Sequence, residues 1–267
     1  MDDTALGLLT DRLAGKYVYC IVSGEEERNF GPVGIGGGQE VTTIAHGDLS
    51  AVASSSPLEE YSIKRENMLA HENVIARVFQ EYRAVLPVRF NTVAAGVEEV
   101  RRFLQREAPE LRRLLRAVDG RAEVGLQVFW QEMQSVFREI AEQDTRIKKL
   151  RDKVYGEKGE GRHEDKIRLG ELVLATLLRK KAEEARVLLD ALRPAAVDYR
   201  ENKIYADQMV LNMSFLIDRA REVEFDNCLA DLDREYSERY QFKRTVLMAP
   251  FNFSEIRIRG EAGSDEA

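Results

Sequence analysis

His71 is followed directly by Glu72, and this pair opens the kind of helix that zinc proteases use. That chemistry requires a second histidine one turn on, at i+4, so that two imidazoles face one metal ion. Position 75 is isoleucine, and the other histidines, His46 and His163, fall in a turn and a loop. The spacing offers no clustered ligand set, so no metal site is expected. The glycines from Gly31 to Gly38 invite a phosphate cradle. A P-loop needs Gly-Lys-Ser or Gly-Lys-Thr opening a helix. Here Gln39 and Glu40 follow, and then a strand pattern. The dinucleotide fingerprint also fails, because Gln39 stands where its third glycine belongs. The run reads as a flexible connector between strands, and no cofactor is expected. Cys20 and Cys228 lie far apart, each among apolar neighbours, and read as buried free thiols. No Ser/His/Asp or Cys/His arrangement has supporting context, and no pair of carboxylates stands out. No catalytic residue is assigned.

Arg89 differs from its surroundings. It lies in a largely apolar segment, LPVRFNTV, where a charge needs a partner or water. The preferred reading is an ion pair with Glu72 or Glu66 that locks a helix to a strand. The alternative is an anchor for a partner, since arginine is enriched in interface hot spots.

The elements that position these residues follow from periodicity. Residues 16–22 (KYVYCIV) form a buried first strand, and residues 41–45 and 49–54 are strands joined by a tight turn at His46-Gly47-Asp48. A helix covers about residues 63–82, with Met68, Ile75, Val78, Phe79 and Tyr82 on one apolar face. It runs into a strand over residues 85–93, where Leu86, Val88 and Phe90 alternate with Pro87, Arg89 and Asn91. The helix face is expected to dock on the sheet holding Leu86, Val88 and Phe90. A second helix spans about 97–118 and stops at Asp119-Gly120.

The second half reads as a strand at 122–130, a long charged helical stretch at 131–192 stopped by Pro194, and strands at 197–203 and 208–217. A helix over 218–240, N-capped by Asp218, and a strand at 242–248 complete it. The order β-α-β-β-α-β is ferredoxin-like. The fold class is therefore α+β in two domains, residues 1–120 and 121–259, followed by a disordered tail at 260–267. The insert at about 131–192 reads as an antiparallel helical hairpin. Its first arm carries a seam at Val136, Ile140, Gln143, Ile147, Leu150 and Val154. The second carries Ala175, Leu178, Ala182, Ala185, Leu189 and Leu192. The mixed charges on both arms, Glu139 and the Arg179-Lys180-Lys181 patch included, read as solvated faces. Residues 155–162 form a mobile glycine-rich loop.

A formal net charge of −7 argues against nucleic acid as the main partner. No apolar run approaches the roughly 18 residues that span a bilayer. The start, MDDTALGLLTDRLAG, is acidic where an export signal would be basic. A cytoplasmic protein with no lipid membrane partner is expected.

Two runs tie these elements to a family. HENVIARVFQEYRAVLPVRFNTV resembles the H…LPVRFGT signature of the gas vesicle F/L family. Near the end, Met248-Ala249-Pro250-Phe251-Asn252-Phe253-Ser254-Glu255-Ile256 resembles that family's G-P-x-P-x-Y-N-F-V-E-I run. The strand KYVYCIV, the turn HGDLSAVASS and the strand VLNMSFLI fall in the right order between and before them. Asn91 replaces the family's glycine, and asparagine tolerates left-handed backbone better than most residues. Ala249 and Phe251 stand where the family tends to have glycine and proline. The resemblance implies a non-enzymatic assembly factor or minor structural component of gas vesicles. The implied partners are the major, very hydrophobic shell protein and other accessory proteins, and the implied location is the vesicle. His71, Arg89, Phe90, Asn91, Pro250, Asn252 and Phe253 are its motif or interaction residues. Two other readings compete: an enzyme on the ferredoxin-like scaffold, and a generic coiled-coil adaptor.

Overall fold

The structure is a computed structural model that describes residues 15–156 and 161–254. It has a mixed α/β fold with two sheets, arranged as two compact units. The first holds the described residues up to Glu123 together with Leu247 onward, and the second spans residues 124–246.

In the first unit, strands β1 (Gly15–Ser23), β2 (Asn29–Gly34), β3 (Gln39–His46), β4 (Leu49–Ser56) and β5 (Val85–Pro87) are ordered β2-β3-β4-β1-β5. The short β6 (Val93–Ala94) also pairs with β1. All five pairings are antiparallel. Helices α1 (Arg65–Glu81) and α2 (Val97–Val118) cover the two faces of this sheet through separate cores. This explains the unbroken apolar run in β1, because a strand covered on both faces has no solvent side to keep polar. The β1–β4 register shifts between Val18 and Cys20. Tyr17 before the shift, Tyr19 within it, and Cys20 and Val22 after it therefore all face the α1 core. Val18 and Ile21 face α2, with Val100, Phe103, Leu104, Leu111 and Leu115. Each fully buried Leu or Phe stabilises by roughly 1.5–3 kcal/mol relative to exposure.

Four expectations for this unit change. The strand expected over 85–93 is two short pieces, because a turn at Phe90-Asn91 interrupts it. Leu86 and Val88 belong to the α2 core, whereas Val85 and Phe90 belong to the α1 core. So α1 does dock on the sheet that holds Leu86, but on the face opposite Leu86 and Val88, and the turn carries Phe90 round to the α1 side. Met68 is exposed, and α1 buries Val74, Ile75, Val78 and Phe79. The glycine connector is also shorter than expected, since residues 29–34 form β2 and the chain turns at residues 35–38.

The second unit contains β7 (Arg121–Trp130) from Val124 onward, α3 (Met133–Gln143), α4 (Thr145–Tyr155), α5 (His163–Leu192), β8 (Asp198–Glu201), β9 (Met209–Asp218), α6 (Glu222–Tyr236) and β10 (Tyr240–Arg244). The sheet order is β10-β7-β9-β8. The first arm of the insert is broken into α3 and α4 at Asp144. Its backbone is extended there, and its side chain accepts from Arg146 N–H at 2.9 Å, an N-cap that restarts the helix. Val136, Ile140, Ile147 and Val154 are buried as the heptad pattern requires, but Gln143 is exposed. On α5 the expected seam has the wrong phase. Of that seam Leu192 is buried and Ala185 and Leu189 are half-buried, but Ala175, Leu178 and Ala182 are exposed, and the other buried positions are Leu169, Thr176, Leu177 and Leu188. The last strand ends at Arg244, earlier than expected. The helix expected from residue 218 starts at Glu222, behind a 3-10 turn at Arg219–Arg221.

The tail at 260–267 and residues 157–160 of the loop lie outside the described residues. No helix among the described residues is long and apolar enough to cross a membrane.

Candidate functional site

The first motif run is built around a buried imidazole. α1 carries His71 against β1, where the rings of Tyr17, Tyr19 and Phe90 surround it at centroid distances of 5.6, 5.7 and 5.7 Å. His71 Nδ1 lies 3.1 Å from the Tyr17 hydroxyl. That hydroxyl accepts from the Asn91 backbone N–H at 3.0 Å, which leaves its own proton for Nδ1. The Val88 backbone is the other group that acts on the ring. Burial holds the imidazole down to about 4, so it is neutral at pH 7, and the backbone bond at Val88 only partly offsets this. Nδ1 is engaged by the Tyr17 hydroxyl, so a substrate would have to displace that hydroxyl to use Nδ1 as a base.

Asn91 supplies the turn and more. It is the non-glycine residue with left-handed backbone among those described, at φ 66°. Its side-chain amide grips the backbone of Tyr61 from both sides: Oδ1 accepts from Tyr61 N–H at 2.9 Å and Nδ2 donates to Tyr61 C=O at 2.8 Å. A glycine here would keep the turn and lose the grip. The Tyr61 ring meets Tyr17 edge-on at 5.6 Å and lies against Gly36, where an added Cβ would sit 2.7 Å from the Tyr61 hydroxyl. Arg89 does not behave as expected. It is exposed, and among the described residues it forms no ion pair with Glu66 or Glu72. Its side chain leaves the sheet where the strand turns, and Thr92 Oγ1 donates to its carbonyl at 2.6 Å.

The second motif run closes on the same core. Glu123 and Met248 exchange backbone bonds at 2.8 and 3.0 Å. The Glu123 side chain is buried, and its carboxylate accepts from Asn252 twice, from the backbone N–H at 2.8 Å and from Nδ2. Ser254 Oγ donates to Pro250 C=O at 2.7 Å, which shapes a 3-10 turn at Phe251–Phe253. Ala249 is part of the α1 core, and Phe251 packs on it beside Phe90 and Tyr61. Residues 247–254 therefore belong with the first unit, although the sequence pattern suggested the second domain. The cause is Glu123, which the sequence reading passed over. A lone acid in the apolar strand AEVGLQVFW was the available signal.

A third constellation was also missed. In the second unit Glu184 of α5 accepts from Trp130 Nε1 at 2.6 Å, from the Tyr240 hydroxyl at 2.7 Å and from Arg239 at 2.5 Å. Arg239 also forks onto Glu139 of α3 at 2.9 and 3.1 Å, and Lys180 bridges Glu139 and Glu184 at 2.8 and 3.4 Å. Glu139 and Lys180 are thus not solvated-face charges. Hydrogen bonding to Arg239 holds the Glu139 carboxyl down to about 2, against burial and with help from Lys180. Burial opposes the charge of Glu184, but the bonds from Arg239, Trp130 and Tyr240 outweigh it and lower its titration. The network ties α3 and α5 to β7 and β10.

Burial pushes the Cys20 thiol well above its ordinary range, so it is a poor nucleophile. Cys228 is half-buried, and both thiols are free. Among the described residues no group of three or more His, Cys, Asp or Glu is arranged to hold a metal ion.

Comparison with known proteins gives these sites a context. Gas vesicle protein F of a Nostoc species is 28% identical over 205 residues, covering 76% of this chain and 83% of its own length. Gas vesicle protein F1 of Halobacterium salinarum is 24% identical over 247 residues, covering 92% and 95%. The crystal structure of gas vesicle protein GvpF from an Anabaena species matches with a TM-score of 0.81 at 26% identity, over 92% of this chain and 100% of that one. That of Microcystis aeruginosa GvpF gives 0.76 at 26% identity, over 91% and 100%. The sequence pattern of the gas vesicle synthesis protein GvpL/GvpF family matches residues 15–255, from β1 through both motif runs, and the chain belongs to that family.

Proposed function

We propose that this chain is a non-enzymatic assembly factor or minor structural component of gas vesicles. It binds the hydrophobic shell protein, assists nucleation and growth of the vesicle, and works in the cytoplasm and at the vesicle itself. The single observation that carries this reading is the family match over residues 15–255. The geometry is consistent with it. The motif residues Asn91 and Asn252 are spent on holding backbone segments together, and His71 Nδ1 is bonded to the Tyr17 hydroxyl inside the core. Arg89 is an exposed motif residue with no ion pair among the described residues, and we assign it as an anchor for a partner. A shell subunit exposes apolar surface before it polymerises and aggregates unless held. A net charge of −7 suits a holder that must stay in solution.

In this reading the second unit is ferredoxin-like, with α3, α4 and α5 as an antiparallel helical hairpin inserted after its first strand. The strand order β10-β7-β9-β8 and the element order around α6 support that assignment. The test is copurification: the tagged full chain, co-expressed with the shell protein, is expected to retain it through washing. A chain that retains no shell protein at any ionic strength contradicts the reading.

A further inference from the structure

The edge of a sheet presents a row of unpaired N–H and C=O groups and is a template for pairing with another chain. The first sheet ends at β2 and β5, and the second at β8 and β10. β2 and β5 each contain a proline, Pro32 and Pro87, which has no N–H to offer. β10 carries Lys243 and Arg244, and charge also blunts an edge. β8 has no proline, and the exposed apolar side chains of Val197, Ile204 and Tyr205 lie just before and after it. An open backbone with that margin gains by pairing with another copy.

The register tells which groups β8 leaves over. Asp198 pairs with Leu216 and Arg200 with Ser214. In the same register Asn202 N–H donates to Asn212 C=O at 2.8 Å. Successive residues of an antiparallel strand turn their backbone groups alternately towards the partner strand and away from it. The even-numbered residues therefore bond to β9, and Tyr199 and Glu201 point outward.

Both outward groups of Tyr199 are already taken. Asp198 Oδ1 accepts from Tyr199 N–H at 2.8 Å, and Arg200 Nη1 donates to Tyr199 C=O at 3.0 Å. The two side chains also hold each other, Nη1 to Oδ1 and Nη2 to Oδ2, both at 2.9 Å. They meet because residues two apart share one face of a strand. Both are about half exposed, and an exposed ion pair contributes little to stability. Its effect here is to occupy the hydrogen-bonding groups of the free edge.

We propose that Asp198 and Arg200 form a clasp that closes the β8 edge and keeps the chain from pairing edge to edge with a second copy. With the clasp removed, two β8 strands pair antiparallel about Tyr199. Its N–H and C=O then each meet those of the other copy in a closed two-fold contact.

The experiment measures the mass in solution of full-length proteins over a wide range of concentration, alongside their thermal melts. Asp198→Ala combined with Arg200→Ala opens the clasp. Glu201→Pro, added to that pair, removes an outward N–H without losing a bond to β9. The double variant is expected to self-associate at least tenfold more tightly than wild type, with a melt close to wild type. Adding Glu201→Pro is expected to return it to the wild-type level. A double variant with the wild-type mass at every concentration overturns the proposal. So does an association that survives Glu201→Pro, because it runs through another surface. A wild-type dimer that Glu201→Pro alone dissociates shows an edge that is already open, and overturns it as well. If the double variant melts lower than wild type, Arg200→Ala, which frees only the Tyr199 carbonyl, decides by the same two readings.

Discussion

At the scale of single residues, His71 makes the first unit sensitive to acid. Its folded value of about 4 lies below the 6.5 of an unfolded histidine. Between those values the unfolded chain binds more protons, so stability rises with pH. The contribution is fully present above pH 6.5 and is lost as pH falls towards 4. Unfolding free energies measured by urea melts are expected to fall by about 3 kcal/mol from this group across that window. His71→Phe should flatten the slope there. Asn91 is the second test. Asn91→Ala loses two hydrogen bonds to Tyr61 and forces alanine into left-handed backbone, a combined cost of about 2–4 kcal/mol in a denaturation midpoint. Asn91→Gly should cost less, because only the grip is lost. The tolerance of asparagine for this turn was legible in LPVRFNTV. The grip on Tyr61 was not, because it joins residues 30 positions apart. The exposure of Arg89 was one of two readings open in the sequence, and no pair with Glu66 or Glu72 forms among the described residues. Alternation placed Arg89 on a continuous strand, whereas the turn at Phe90-Asn91 lets it reach solvent.

At the scale of elements, local signals were sufficient where one competing pattern was absent. The helix over residues 97–118 and its stop at Asp119-Gly120 appear in the structure as read, because one amphipathic phase and one terminator agree. Helix α5 had two apolar phases in sequence, and periodicity could not say which one meets α3 and α4. What settles the packing is Glu184 with Lys180 and Arg239, a network that unites residues from three separate segments. Glu184→Ala leaves Arg239, Trp130 and Tyr240 without their shared acceptor. With 16% of the Glu184 side chain exposed, partial hydration moderates the loss to about 2–4 kcal/mol. Hydrogen exchange should show faster opening of the amides around residue 184 in that variant, while those of α1 and α2 keep wild-type protection. Equal protection around residue 184 in both proteins would remove the network from the account of how the insert is held.

At the scale of the whole molecule, the order of the elements was readable, but the return of the chain was not. Residues 247–254 follow the last strand of the second unit and close on the first, through the Glu123 carboxylate and the Asn252 amide. A long-range polar contact of that kind has no periodic signature. Glu123→Leu keeps apolar bulk in β7 but removes the acceptor for Asn252. Limited proteolysis is expected to cut near residue 250 at least tenfold faster in Glu123→Leu than in wild type, with the second unit left intact. Both motif runs of the family thus lock one core. The central claim is that the chain serves gas vesicle assembly, and the most direct test is genetic. Cells that form vesicles are examined by electron microscopy after deletion of the gene encoding this chain and again after its restoration. Loss of vesicles on deletion and their return with the wild-type gene is the expected result. Vesicles of normal number and shape in the deleted cells would contradict it.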